Sequence, residues 1–187
     1  MADTQRSLSE LQTLLAENSD GNISSQDMRD VLVSLTPSFG RCSMQANATT
    51  TAGGSGTFSK ILGTTAMSGD EVFFDDDTGV SNRLKYTGVS PRHVHIAASL
   101  SMSTSSGNKI CEFKAYHWDA SVGSGSLLDS SLISRKTGAG AGDLGAAAVH
   151  ADVMMDTNDY IEIWATCEDA STITVEDLYF FAMTMLV

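Results

Sequence analysis

Basic residues are scarce in this chain. Eleven Lys and Arg stand against 23 Asp and Glu in 187 residues, a formal net charge of -12 with a pI near 4.5. A surface of that sign repels phosphates and anionic headgroups, so neither nucleic acid nor membrane is expected as a partner. No apolar run reaches the ~20 residues that a bilayer-spanning helix needs. Residues 1–5 carry no basic stretch leading into an apolar core, so no secretory leader is read, and the protein is expected to be soluble and made in a cytoplasm. Cysteine is sparse as well. Cys42, Cys111 and Cys167 are odd in number, far apart and without C-x-x-C spacing, which excludes a disulfide framework. Cys111 and Cys167 each fall within an apolar alternation and read as small core side chains, with a single bridge between them in an oxidising medium left open.

The signatures of catalysis are missing too. No Gly-x-Ser-x-Gly elbow occurs, and Gly138-Ala139-Gly140-Ala141-Gly142 lacks both the Lys-Ser/Thr of a phosphate loop and a following helix, so it reads as a flexible loop. Asp77-Thr78-Gly79 echoes an aspartic-protease loop. Asp75 and Asp76 precede it, however, and a buried carboxylate triplet would repel itself, so the segment reads as a solvated hairpin tip. The same carboxylates lack the distal Glu of a complete calcium loop. His93 and His95 have strand spacing that could set two imidazoles on one metal, but no third ligand is evident, and a polar interface position is the reading. No catalytic residue, cofactor or metal site is assigned.

What the sequence does have is strand patterning. From Thr57 onward no helical period occurs; short alternating runs are separated by Gly, Asn and Asp, as in a sandwich or jelly roll. Strands are expected at Phe58–Leu62, Glu71–Phe74, Arg83–Tyr86, His93–Met102, Ile110–Trp118, Ser126–Ser134, Ala146–Met154, Tyr160–Cys167 and Ile173–Met185. Their phases place Val94, Ile96, Ala98, Leu100 and Met102 in the core. Ile161, Ile163, Ala165 and Cys167 join them, as do Ala147, Val149, Ala151 and Val153. The run from Ile173 to Val187 is apolar on both faces, with Leu178, Phe180, Ala182 and Leu186 on one side and Tyr179, Phe181, Met183, Met185 and Val187 on the other. Both faces need burial, and with no later helix to cover the second one, a neighbouring subunit must.

The first 38 residues differ in kind. Ser7-Leu8-Ser9-Glu10 is a capping box, and Leu8, Leu11, Leu14 and Leu15 recur at helical spacing towards Asn18. Asp20-Gly21-Asn22 is turn chemistry. Ser24 then caps a second helix with the apolar stripe Met28, Val31, Leu32 and Leu35, stapled by Ile23 and Met28 and ended by Pro37 and Gly40. Helices this short are marginal alone in water, so they need a partner surface.

The series Phe58-Ser59-Lys60-Ile61-Leu62-Gly63-Thr64-Thr65, Asn82-Arg83-Leu84-Lys85-Tyr86-Thr87-Gly88, Ala98-Ser99-Leu100-Ser101-Met102-Ser103, Thr157-Asn158-Asp159-Tyr160-Ile161-Glu162-Ile163-Trp164 and Ile173-Thr174-Val175-Glu176-Asp177-Leu178 resembles the C-terminal jelly roll of bacteriophage structural proteins. That domain is similar to the heads of complement-type and tumour-necrosis-factor-like proteins. The resemblance covers about residues 57–187. It implies a sandwich that trimerises about a three-fold axis through its inner sheet, with the last strand near the axis.

The expectation is therefore a mainly β chain, an antiparallel jelly-roll sandwich preceded by a short N-terminal helical hairpin. Residues 1–38 form a helical attachment segment, 39–56 a linker or edge strand and 57–187 a jelly-roll trimerisation domain. Trimer-interface candidates are Tyr179, Phe181, Met183, Met185, His93, His95, Ala146, Ala148 and His150. Leu8, Leu11, Leu15, Met28, Val31 and Leu35 are candidates for attachment to a particle. The implied function is that of a trimeric capsid-decoration (cement) or short head-fibre protein in the virion. Its partners are two further copies of itself and the major capsid protein or another virion protein. The alternative is a tail-borne receptor-binding tip, in which Trp118, Tyr160 and Trp164 would meet a host glycan; a hydrolase using the acidic turn ranks last.

Overall fold

The computed structural model describes residues 4–16, 23–51, 56–67, 71–77 and 79–185. Two helices, α1 (Leu8–Ala16) and α2 (Ser25–Leu35), precede all of the strands. These are β1 (Phe39–Met44), β2 (Thr50–Thr51), β3 (Ser59–Lys60), β4 (Ala66–Met67), β5 (Phe74–Asp75), β6 (Arg83–Tyr86), β7 (Arg92–Thr104), β8 (Ile110–Asp119), β9 (Ser124–Leu127), β10 (Ile133–Lys136), β11 (Gly145–Met155), β12 (Tyr160–Cys167) and β13 (Ile173–Thr184). The turns expected at Asp20-Gly21-Asn22, Gly53-Gly54-Ser55 and Gly69-Asp70 lie outside the described residues. So do Asn18, Thr78, Leu186, Val187 and the side chain of Leu8.

The strands form two antiparallel sheets. One runs β11-β7-β13-β1-β4 with β2 on β13, and the other β10-β8-β12-β6-β5 with β3 on β12 and β9 on β8. From β6 onward β7, β11 and β13 fall in the first sheet and β6, β8–β10 and β12 in the second, so the chain crosses repeatedly between sheets, as in a jelly roll. Alternate side chains meet between the layers: Val94, Ile96 and Met102 from β7, Phe113 from β8, Ile161 and Ile163 from β12, and Phe180 from β13 are fully buried. Each large side chain removed from water contributes roughly 1.5–3 kcal/mol, so the period-two pattern drives the sandwich. Along β13 the inward phase switches between Val175 and Leu178, where a bulge sets the register from Val175–Met102 to Asp177–Ser101.

Residues 39–56, expected as a linker or edge strand, contain β1. It pairs from Phe39–Met183 to Met44–Leu178 along β13, and β4 pairs on its other side. Gly40 is required there, because a Cβ would collide with the ring of Phe74 from the opposite sheet. The strand expected at Ser126–Ser134 is broken in two by a 3-10 turn at Asp129–Ser131, where Asp129-Ser130-Ser131 favours local turn hydrogen bonds over the ladder.

Both helix starts form as the sequence indicates. Ser7 Oγ accepts from Glu10 N and the Glu10 carboxylate accepts from Ser7 N at 2.7 Å, and Ser24 with Asp27 repeats the arrangement. α2 turns its polar side toward the chain and its apolar stripe outward. Its buried residues are Asp30 and Ser34, whereas Met28, Leu32 and Leu35 are exposed, Leu32 at 63%. Among the described residues, no helix is long and apolar enough to cross a membrane.

Candidate interaction faces

The outward face of the first sheet gathers all nine residues expected at the subunit interface. β13 turns Tyr179, Phe181 and Met183 away from the core, and Tyr179 and Met183 remain 48% and 40% exposed. Strand register puts Tyr179 beside Ser99, which faces Ala148; Phe181 beside Ala97, which faces His150; and Met183 beside His95, which faces Asp152. Met185 continues the alternation and donates its N–H to the His93 carbonyl at 2.7 Å. Ala146 lies opposite Ser101 at the far end. Large apolar groups thus form a ridge along β13, flanked on β7 and β11 by small residues over which another backbone can approach closely. A groove of about 330 Å³ lies on one side of Tyr179, lined by Ser43, Gln45, Ser99 and Asp177. A second groove, of about 250 Å³, opens by Arg41, Ala66 and Met67.

The histidines cluster at one end of this face. His95 Nδ1 lies 2.8 Å from Asp152 Oδ1, and the His95 and His150 rings are 5.6 Å apart. Asp152 therefore pairs with His95 across the strands rather than with His150 on its own strand. Among the described residues, no group of three or more His, Cys, Asp or Glu is placed to hold a metal ion.

A second face lies on the helical pair. Asp30 accepts from Thr4 N at 2.9 Å and from Gln26 Nε2 at 2.7 Å, and pairs with Arg6 at 2.9 Å. The Thr4 N–H foremost, with Gln26 and Arg6, holds its carboxyl below the usual carboxylate range. Ser34 Oγ accepts from Arg6 N, the Ser34 carbonyl accepts from Arg92 Nη2 at 2.6 Å, and Gln5 Oε1 accepts from Val89 N at 2.8 Å. These polar groups tie the segment to the start of β7 and leave the apolar stripe of α2 facing out. Of the attachment candidates, Leu15, Met28 and Leu35 are exposed, Val31 is half-buried and Leu11 is 4% exposed. Leu11 is thus committed to packing within the chain and offers nothing to a partner. Ile23 and Leu32 belong to the exposed set and were not among the candidates.

The outer face of the second sheet carries an aromatic and ionic layer. Tyr116 stacks on Trp164 with ring centroids 4.6 Å apart, and Trp118 stacks on Tyr160 at 5.6 Å. Arg83 lies 3.6 Å over the Tyr160 ring. Beneath them Glu162, although on an outward phase, is only 2% exposed. Its Oε1 accepts from Lys60 and Arg83, each at 2.7 Å, and its Oε2 from Trp164 Nε1 at 2.9 Å. Trp118, Tyr160 and Trp164 therefore belong to one cluster of two stacked pairs, joined by Tyr116 and Tyr160 with ring centroids 6.4 Å apart. Tyr116, Glu162, Lys60 and Arg83 are members that the sequence alone did not assign, although Tyr116-x-Trp118 opposite Tyr160-x-Glu162-x-Trp164 has the period of a single strand face.

Asp77 sits at the edge of this layer, paired with Arg83 at 2.6 Å and Lys85 at 2.9 Å. Lys85 first and Arg83 second hold its carboxyl below the usual range. It is an ionised structural partner rather than a solvated hairpin tip, and a carboxylate held ionised at neutral pH has no proton to donate as a general acid.

No protein-family model matches the chain, and no curated protein matches it. Solved structures do share its fold. Murine APRIL at pH 5.0 matches with a TM-score of 0.51 and 5% identity, over 79% of this chain and 99% of that one. The Eiger TNF of S. frugiperda matches with a TM-score of 0.50 and 7% identity, over 80% of this chain and 94% of that one. The chain is a TNF-like jelly roll, a likeness of fold.

Proposed function

We propose that this protein is a homotrimeric structural protein of a bacteriophage particle, a head-decoration (cement) or short head-fibre protein. The trimer forms through the face of Tyr179, Phe181 and Met183, and the helical pair grips the major capsid protein or another virion protein. The observation that carries this reading is the division of exposed apolar surface into two separate faces. A ridge on the inner sheet suits a second copy of the same fold, and the stripe of Met28, Leu32 and Leu35 on α2 faces outward while Asp30 and Ser34 face inward. A helix on a self-sufficient monomer carries the opposite polarity. The assignment to a phage particle draws on the resemblance of the strand motifs to phage jelly rolls.

The test uses the full chain carrying Met28→Asp and Leu32→Asp, two exposed positions at which a charge stays solvated. The variant should fold and trimerise as the parent does but fail to bind particles stripped of the protein. Undiminished binding would contradict attachment through α2. A second reading, a tail-borne tip for a host glycan, is favoured by the stack of Tyr116, Trp164, Trp118 and Tyr160. Electron microscopy of labelled particles separates the two readings, because head decoration distributes label over the capsid and a tip confines it to the tail.

A further inference from the structure

Cys111 and Cys167 stand directly opposite one another on β8 and β12. Their side chains enter the core, both are free thiols, and their Sγ atoms are 3.0 Å apart. Facing residues on antiparallel strands hold their Cα atoms about 4.5–5.5 Å apart, within the roughly 4.4–6.8 Å that a disulfide spans, so closure needs little backbone movement. The pair also sits where the sheet can open. Cys111 is the second residue of β8 and Cys167 the last of β12, followed at once by the turn Glu168–Ala170, in which Asp169 has φ 54°. A surface cleft of about 190 Å³, lined by Gly56, Ile110, Glu112, Thr166, Cys167 and Glu168, reaches this end of the strand.

We propose that Cys111 and Cys167 are an oxidisable dithiol that closes to an intrachain disulfide when the folded protein meets a small peroxide, the class of oxidant that the cleft admits. The thiolate of Cys167, at the cleft, attacks one peroxide oxygen and breaks the O–O bond, giving a sulfenic acid and, after protonation, one water. The Cys111 thiolate then attacks the sulfenic sulfur, forming the S–S bond and releasing the hydroxyl as a second water. Two thiols and one hydrogen peroxide become one disulfide and two waters; the sulfurs lose the two electrons that the peroxide gains. Burial, and then the neighbouring Cys167, push the Cys111 thiol up, so the step waits on opening of the strand ends and is slow. Cys42 lies in the other sheet on β1, where its cross-strand neighbours are Phe180 and Met67 rather than a thiol, so it has no partner to close on and serves as an internal control. The inference is independent of the particle reading.

The test exposes the reduced full-length protein to hydrogen peroxide, quenches it, and counts alkylatable thiols after denaturation. The count should fall from three to one without a change in chain association. The intact mass should drop by two hydrogens, and a digest should yield the Cys111–Cys167 linked peptide. Closing a loop of 56 residues' separation should raise Tm by roughly 5–15 °C, reversibly with a dithiol reductant. Cys111→Ala and Cys167→Ala variants should form no intrachain bridge and show no such rise. Three thiols persisting in the wild type, both in buffer and in urea just below the unfolding midpoint, would overturn the proposal. A bridge involving Cys42 would do so as well.

Discussion

Arg6 pairs with Asp30 at 2.9 Å, and the Asp30 side chain is 1% exposed, so the buried side of α2 is its charged side. Residues 4–6 are thereby tied to α2, while Ser34 with Arg92 and Gln5 with Val89 fasten the segment to the jelly roll, and the apolar side chains Met28, Leu32 and Leu35 stay exposed. Asp30→Asn should loosen the tie between residues 4–6 and α2, and amide exchange over residues 4–16 and 23–36 should accelerate while β7, β12 and β13 stay protected. The wild type should behave in the same way in acid. Because the Asp30 carboxyl titrates below its ordinary value when docked, its contribution is full above about pH 4 and disappears as pH falls through the lower docked value. Exchange that is unchanged in the variant would show that the segment is held by something else.

Glu162 is the keystone of the outer layer. Replacing it with Ala takes the carboxylate from Lys60, leaves Arg83 with the Asp77 carboxylate alone and leaves Trp164 Nε1 without its acceptor. Breaking a buried ion pair from one side costs about 3–5 kcal/mol, and urea unfolding should register a loss of that order. Glu162→Gln, which keeps the shape and one acceptor, should lose less. Equal stability of the wild type and the Ala variant would show that the layer contributes nothing to the fold.

Asp77 provides a second acid-sensitive contact. Its lowered carboxyl contributes stability above about pH 4, lost as pH falls through its folded-state value. Asp77→Asn should reduce stability at pH 7 and narrow its gap to the wild type in acid, where the wild type has lost the same charge. Thermal melts at pH 7 and pH 3 read this directly. The same variant retaining full stability at pH 7 would return Asp77 to the status of a solvated turn.

Local pattern carried much of this architecture. β6 and β12 lie where the alternation of Arg83–Tyr86 and Tyr160–Cys167 puts them, and Val175-Glu176-Asp177-Leu178 contains the phase change that becomes the bulge. β1 was legible only as one of two alternatives, a linker or an edge strand, because Phe39-Gly40-Arg41-Cys42-Ser43-Met44 alternates weakly and finds its partner some 140 residues later in β13. The centre around Glu162 was hidden for a related reason: its cations arrive from β3 and β6, and only the folded sheet brings them together. Hydropathy alone would turn Leu32 inward. That it faces out follows from Asp30 and Ser34 having partners in Thr4, Arg6 and Arg92, a pairing that no helical period encodes.

The face bearing Tyr179 and Met183 is proposed to join three copies of this chain, which sedimentation equilibrium at micromolar concentration reads as a mass. The wild type should sediment as a trimer of the 19.8 kDa chain. Tyr179→Asp/Met183→Asp, altering two side chains that are exposed in the single subunit, should keep its fold and weaken association by more than about 100-fold, since each large apolar group withdrawn from an interface forfeits roughly 1.5–3 kcal/mol. A wild-type chain that sediments as a monomer at that concentration would rule out the trimer.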